Sequence, residues 1–400
     1  MRHAAYFFVA ILSLFLILNS DTLAGSQDTV KENKQETVLS HTDNGNTATA
    51  ADEHHGAKPS PFMVIPFITL LLLIAIAPLF FQHFWEHNYH RVAIILGLIT
   101  AVYYAVFLKD FTSLRHTLVE YLSFIALLGS LFVASGGILI KVDKKATPIA
   151  NTLFLLLGAV ISNVIGTTGA SMLLIRPFMR MNKGRIRPYH IIFFIFVVSN
   201  VGGGLTPIGD PPLFLGFLKG VPFFWVIGHV WMIWLLALLM ILGIFFVLDF
   251  NNKSGSDAES VYSGKIEFKG LKNLGYLALI ILAVFIDPAV MSWVPSLDPL
   301  PVGIREIIMF GVIFAAYKTA DSEVLKANEF DFGPIKEVAY LFVGIFFTMI
   351  PALRLIADMA KENSEVFTSS LFYWASGSLS SFLDNAPTYL NFLSAAMGKF

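Results

Sequence analysis

From Phe223 to Leu248 the chain reads FFWVIGHVWMIWLLALLMILGIFFVL, an apolar stretch with no formal charge. A spanning helix needs roughly 20 apolar residues to cross a hydrocarbon core ~30 Å thick, so this segment is long enough to cross a bilayer. Composition makes it a span rather than the core helix of a soluble domain. Hydrophobic residues make up 56% of the 400 and charged residues 14%. An average soluble domain carries roughly 25% charged residues, so the polar surface here is too small to cover a water-soluble fold. Further apolar runs lie near 61–81, 92–108, 118–140, 149–175, 189–218, 271–291, 302–318, 337–357 and 366–398. The expectation is an all-α polytopic membrane protein in a lipid bilayer, with no soluble domain, no cofactor and no nucleic-acid partner. The absence of cysteine excludes disulfides, cysteine zinc sites and thiol catalysis.

The first residues, MRHAAYFFVAILSLFLILNS, place Arg2 and His3 before an apolar core from Ala4 to Leu18. At 1.5 Å per residue that core is about 22 Å long, short for a span. With the small-residue exit at Thr22, Ala24 and Gly25 it reads as a signal peptide, residues 1–24. Residues 25–60 are polar and read as a disordered non-cytoplasmic linker. Their Asp52-Glu53-His54-His55 cluster is read as solvated linker rather than a metal site. Residues 61–250 and 271–400 form two transmembrane repeats, joined by a polar cytoplasmic linker at 251–270.

Basic residues favour the cytoplasmic side. Lys141, Lys144 and Lys145 precede the run at 149–175, and Arg176, Arg180, Lys183, Arg185 and Arg187 follow it. Both flanks belong on one side, yet two full spans would need roughly 40 residues. The run is therefore expected to be a re-entrant hairpin with its tip between Ser162 and Gly169. A second hairpin-sized segment at 370–398 is interrupted at Leu383–Thr388, and Asn163 and Asn385 fall at corresponding tips. Span counting starts the two repeats on opposite sides, giving inverted repeats with broken elements, a pattern of secondary transporters. By parity a second broken helix and a closing span should follow the second hairpin, so the second repeat reads as truncated at Phe400.

Three polar breaks sit at membrane depth: Ser162–Gly169, Ser199–Pro212 and Asp384–Thr388. They offer hydroxyls, Asn amides and backbone carbonyls. Proline removes a helical hydrogen bond, so in a helical surround Pro207 would free the carbonyl of Gly203, and Pro387 that of Leu383. Gly202, Gly203, Gly204 and Gly209 would let the backbone approach a ligand. Asp210 and Asp384 are the carboxylates inside these breaks; each is read as an ion-handling group or, alternatively, as the cap of a half-helix. Burial favours the neutral acid and a bound cation the carboxylate, an opposition that lets one site exchange a proton for a cation. Hard oxygen donors suit Na⁺ or H⁺, and the lack of Lys or Arg in the breaks argues against an anionic substrate unless co-bound cations neutralise them. Glu120, Asp287, Arg305, Glu306, Arg354 and Asp358 lie near span ends and are expected at the interface, and His229 is expected to be a satisfied helix histidine.

Two other motifs carry less. Gly202, Gly204 and Gly209 miss the dinucleotide-binding spacing because position 207 is proline. His83-Phe84-Trp85-Glu86-His87 matches H-x-x-E-H, the basis of a remote membrane-metallopeptidase reading, but no third ligand stands out, and no metal other than transported Na⁺ is expected.

Gly202-Gly203-x-x-x-Pro207-Ile208-Gly209-Asp210 and Leu383-Asp384-Asn385-x-Pro387-Thr388 resemble the signatures of NhaD-type sodium/proton antiporters of the ion transporter superfamily, and the chain also resembles that superfamily's bacterial citrate-transporter-like branch. The resemblance covers roughly residues 61–400. It implies an inverted-repeat fold with two re-entrant hairpins, a homodimer and elevator-like movement. Residue by residue it puts Na⁺ (or Li⁺) and H⁺ handling on Asp210, Thr206, Asp384, Asn385 and Thr388, with Ser162, Asn163 and Asn200 alongside; Ser199 opens the same break. The function expected is a Na⁺/H⁺ antiporter of a bacterial inner membrane, not an enzyme, with a cation-coupled citrate or dicarboxylate carrier as the alternative. Asp210 is followed by Pro211-Pro212, where the better-known antiporters carry small hydroxyl residues.

Overall fold

The computed structural model describes residues 58–142, 146–252, 266–288, 291, 293–295, 297 and 302–399. The signal peptide, the linker up to residue 57 with its Asp52–His55 cluster, Lys144 and Lys145, and positions 253–265 of the central linker lie outside the described residues.

The chain is a helical, multi-pass membrane protein. α1 (Ile65–Phe80) and α2 (Gln82–Val102) pack together, and a π-helical turn extends α2 to Leu108. α3 (Phe111–Gly136) begins where the Asp110 carboxylate accepts the Ser113 N–H at 3.0 Å, an N-cap. α4 (Pro148–Ile165) and α5 (Thr167–Met181) form a hairpin about Gly166. α6 (Pro188–Phe194) runs on through a π-helical turn at Ile195–Asn200 and a 3₁₀ turn at Val201–Gly203; the helix then breaks and resumes as α7 (Pro211–Leu218). α8 (Trp225–Phe250) follows, then α9 (Asn273–Val284), α10 (Ile304–Thr319), the short α11 (Ser322–Ala327), α12 (Gly333–Glu362), and a second hairpin of α13 (Ser369–Ser380) and α14 (Asn385–Lys399). Among the described residues six helices are long and apolar enough to cross a bilayer.

Burial separates the axis of the bundle from its lipid face. The most apolar window of α3 is 78% buried, that of α8 only 17%. α3 carries small residues at Gly129, Ser130, Ala134, Ser135 and Gly136, which let neighbouring helices approach, and it packs against α5, α7, α9, α10 and α12. The Ser130 and Ser135 hydroxyls donate back to the carbonyls of Leu127 and Phe132, so they are buried without loss of a hydrogen bond. One element departs from the all-α expectation. β1 (Leu139–Val142) pairs antiparallel with β2 (Ile266–Lys269), Leu139 opposite Lys269, so the end of the central linker is a strand. The β-branched Ile140, Val142 and Ile266 suit that ribbon.

The hairpins enter from opposite ends of the bundle. The mouth of the first is closed by the Ala146 N–H donating to the Met181 carbonyl at 3.2 Å, and its second leg, α5, packs on β1 at the C-terminal end of α3. α12 starts at that same end, where the Asn328 amide donates to the carbonyls of Gly136 and Ile138. It runs to the other end, where Arg354 lies 3.9 Å from Asp110, the cap of α3. There Lys58 pairs with Glu362 at 2.9 Å, and the mouth of the second hairpin is closed by Lys399 Nζ donating to the Phe367 carbonyl at 2.9 Å. Each segment thus leaves and returns on one side, as the first hairpin's basic flanks require.

Candidate functional site

The second hairpin meets the broken helix where α14 packs on α7, and the first hairpin meets it where α4 and α5 pack on the turns before the break. The first tip is tighter than the sequence suggests. Ser162 and Asn163 lie in the last turn of α4, and the chain reverses at Gly166 alone, with φ of +77°, a backbone angle that favours glycine. Asn163 stitches this tip to the break. Its Nδ2 donates to the carbonyls of Gly202 at 2.6 Å and Ala159 at 3.1 Å. Its Oδ1 accepts the Leu205 N–H at 3.0 Å, and its carbonyl accepts the Thr206 hydroxyl at 2.5 Å. Thr206 Oγ1 in turn accepts the Gly209 N–H at 2.9 Å. The buried Ser162 hydroxyl lies 2.8 Å from both Gly158 and Val198 carbonyls. Ser199 and Asn200 fall in the π-helical turn, where Ser199 Oγ lies 2.7 Å from Ser171 Oγ and Asn200 is exposed. Ser162, Asn163, Ser199 and Thr206 are therefore brought together, mainly as partners that hold the loop.

Two expectations about the breaks, both on proline, are corrected, and two of the glycines gain a further role. Pro207 sits in a turn and not a helix, and the Gly203 carbonyl faces the Thr206 N–H at 3.5 Å. Pro387 occupies the first turn of α14, where its missing N–H removes no helical bond; the chain breaks before it, at residues 381–384. Gly203 and Gly209 serve the loop's own closure: a Cβ on Gly203 would stand 2.5 Å from the Gly209 carbonyl oxygen, and one on Gly209 would stand 2.3 Å from that of Gly203. Gly209→Ala is accordingly expected to cost about 1–3 kcal/mol through overpacking, read as a lower unfolding temperature in detergent. A melting point equal to that of the unsubstituted protein would show that these strands do not press together.

The two aspartates stand at the starts of two half-helices. Asp210 is the N-cap residue of α7, and its carboxylate makes no capping bond. Asp384 precedes α14; its Oδ1 accepts the Ala386 N–H at 2.8 Å and its carbonyl accepts the Thr388 hydroxyl at 2.9 Å. The carboxylates lie close enough to repel one another, and Tyr389 of α14 lies within electrostatic reach of Asp210. Asn385 is exposed, its amide oxygen taken by Ser380 Oγ. A water-sized pocket at the first hairpin tip is lined by Gly166, Thr167, Ile208, Gly209, Pro211 and Leu131 of α3; it borders the loop that precedes Asp210 and is lined by neither aspartate. The site thus offers one carboxylate without a hydrogen bond, one capping carboxylate, and hydroxyls and carbonyls: a donor set for a hard cation or a proton.

Two buried polar clusters were not foreseen. Arg305 and Glu306 were expected at the interface, yet they are 6% and 2% exposed. Arg305 Nε donates to Glu306 at 2.7 Å and its NH1 to Asp287 at 2.6 Å; Glu306 also accepts the hydroxyl of Ser123, in the middle of α3, at 2.7 Å. The guanidinium lies 6.0 Å from the Phe214 ring of α7. α10 is short enough to begin inside the bundle, which is why residues at its start are buried. The second cluster gathers Asn151, Arg185, Tyr189 and His190 around Asp249 at the end of α8. Glu120, also expected at the interface, lies 2.5 Å from Lys219 at the end of α7. His83 and His87 sit on an exposed turn of α2, and no group of three His, Asp or Glu able to hold a metal occurs among the described residues.

A multi-pass helical bundle with opposed hairpins, and a helix interrupted at a pair of acidic side chains, has the architecture of a secondary transporter. The family described as "Putative citrate transport" matches residues 56–400, and the chain belongs to that family. No curated protein and no solved structure matches it.

Proposed function

We propose that this protein is a cation-coupled transporter of a bacterial inner membrane that exchanges Na⁺ (or Li⁺) for H⁺ at Asp210, with Asp384 beside it. The observation that carries the reading is the packing of α14 on α7, two half-helices far apart in sequence that each begin at one of these carboxylates. Neighbouring carboxylates in a half-buried site resist both being charged unless a cation sits with them. A proton or a cation satisfies that condition, and the two compete for it. The breaks contain no Lys or Arg to substitute for either. Following the resemblance, the proposal includes a homodimer.

A second reading, a citrate-type carrier coupled to the same cation, is favoured by the family's description. It draws further support from α5, which starts beside the break: its first N–H donates to the Gly209 carbonyl at 3.0 Å and no side chain caps it; a helix N-terminus suits an anionic group. Proteoliposomes separate the two. A Na⁺ pulse without citrate is expected to drive proton movement, followed with a pH-sensitive dye. No proton response, together with Na⁺-dependent uptake of labelled citrate, would reverse the order of the readings.

A further inference from the structure

The two aspartates look equivalent in sequence, but proline has made them different. A capping side chain accepts from the second or third N–H of its helix, and each half-helix here loses one of those donors to proline. In α7 the first two residues are Pro211 and Pro212, so the second donor is missing; the third, on Leu213, is not taken by Asp210. In α14 the first three residues are Asn385, Ala386 and Pro387; here the third donor is missing, and the second, on Ala386, is bonded by Asp384 at 2.8 Å. Among the described residues one oxygen of Asp384, Oδ1, is engaged by its own helix, whereas neither oxygen of Asp210 is.

From this asymmetry we infer that Asp210 alone contacts the transported cation directly, that Asp384 is a positioning residue which starts α14 and sets the field at Asp210, and that Pro212 helps to keep Asp210 available by removing one of the two N–H groups it could cap. The inference rests on the cation-exchange reading and assigns the roles within it. Binding costs nothing in lost capping at Asp210, because no hydrogen bond has to break. At Asp384 a cation would compete with the Ala386 N–H for the same oxygen. The hydroxyls of Ser162 and Thr206 donate to carbonyls and carry no charge, so among the described residues Asp210 is the carboxylate of the breaks with neither oxygen engaged by its own helix.

Equilibrium binding of ²²Na⁺ to the purified full-length protein in detergent tests this, with unfolding temperatures measured in parallel. Asp210→Asn is expected to abolish binding. Asp384→Asn keeps an oxygen that can accept the Ala386 N–H and is expected to weaken binding by about fivefold while the fold is retained. Pro212→Ala restores the second donor of α7 and is expected to weaken binding about fivefold at an unchanged unfolding temperature, the scale of a capping interaction formed in competition with the ion. Loss of binding in Asp384→Asn with retention in Asp210→Asn would overturn the assignment while leaving a cation site in place. Unchanged affinity in Pro212→Ala would overturn the role of the proline. No ²²Na⁺ binding by the unsubstituted protein would instead remove the exchange reading beneath the inference.

Discussion

Asp210→Asn is expected to reduce Na⁺-driven proton flux in proteoliposomes by about 100-fold or more while leaving the protein folded. The substitution preserves shape and breaks no hydrogen bond, because the Asp210 carboxylate makes no capping bond in the structure. What it removes is the charge. A buried ion deprived of its counter-charge costs about 3–5 kcal/mol, and each 1.4 kcal/mol is a factor of ten in affinity, so a loss of two orders of magnitude is the lower end of the expectation. The unfolding temperature in detergent should remain close to that of the unsubstituted protein, since nothing structural depends on the negative charge. Residual flux above a tenth of the original would mean that the ions cross by a route that does not need Asp210. A fall in stability with a matching fall in flux would mean that the carboxylate holds the loop together after all.

The membrane fold was legible because its signals are strong and local. A run such as Phe223–Leu248 has few alternatives to a span, and it became α8. The first hairpin was readable from charge alone, since basic clusters on both sides of residues 149–175 left the chain no room to cross and return in two full spans. The Ala146–Met181 bond shows the same mouth in space. The breaks were also visible in composition, but the way glycine and proline act in them was not. Sequence places Gly203 and Gly209 in one loop; only the folded loop shows that their backbones press on each other. Pro387 reads as a helix breaker by its presence, and as a helix starter once its place in the first turn is known. Arg305 and Glu306 escaped for a further reason. A charged residue at the end of an apolar run is normally interfacial. Their burial depends on α10 beginning inside the bundle and meeting Ser123 on the opposite element, a long-range pairing that no local pattern encodes. Whether a carboxylate near a half-helix caps it or stays free is likewise a matter of which N–H groups remain, and that requires the helix starts to be known to the residue.

Asp249 shows what such a hidden pairing is worth, and Asp249→Ala is expected to be the most destabilising single change at the basic end of the bundle. The side chain is fully buried. It accepts from Asn151 Nδ2 at 2.8 Å, Arg185 at 2.8 Å, the Tyr189 hydroxyl at 2.9 Å and His190 Nε2 at 3.0 Å. The last assignment is fixed by the other ring nitrogen: the Arg187 N–H donates to His190 Nδ1 at 3.0 Å, so the ring proton sits on Nε2 and points at the carboxylate. These donors come from α4, from the segment after α5 and from α6, while the acceptor comes from α8; the carboxylate is the point at which four parts of the chain are joined. Truncation leaves a guanidinium at 10% side-chain exposure without its counter-ion, together with the buried His190 Nε2–H and the half-buried Tyr189 hydroxyl short of an acceptor and Asn151 with one partner fewer. Breaking a buried pair in this way costs about 3–5 kcal/mol, against at most about 1 kcal/mol for an exposed pair. Arg176 and Glu329 supply the exposed control, with Glu329 at 83% side-chain exposure. Thermal unfolding in detergent should therefore fall by roughly 5–10 °C for Asp249→Ala and by little for Glu329→Ala. Equal melting points for the two variants would show that the Asp249 cluster is solvated and holds nothing. A large drop confined to Asp249→Ala would show that this carboxylate is a main fastening of the first hairpin at its mouth, while its tip is held separately by Asn163 and Ser162.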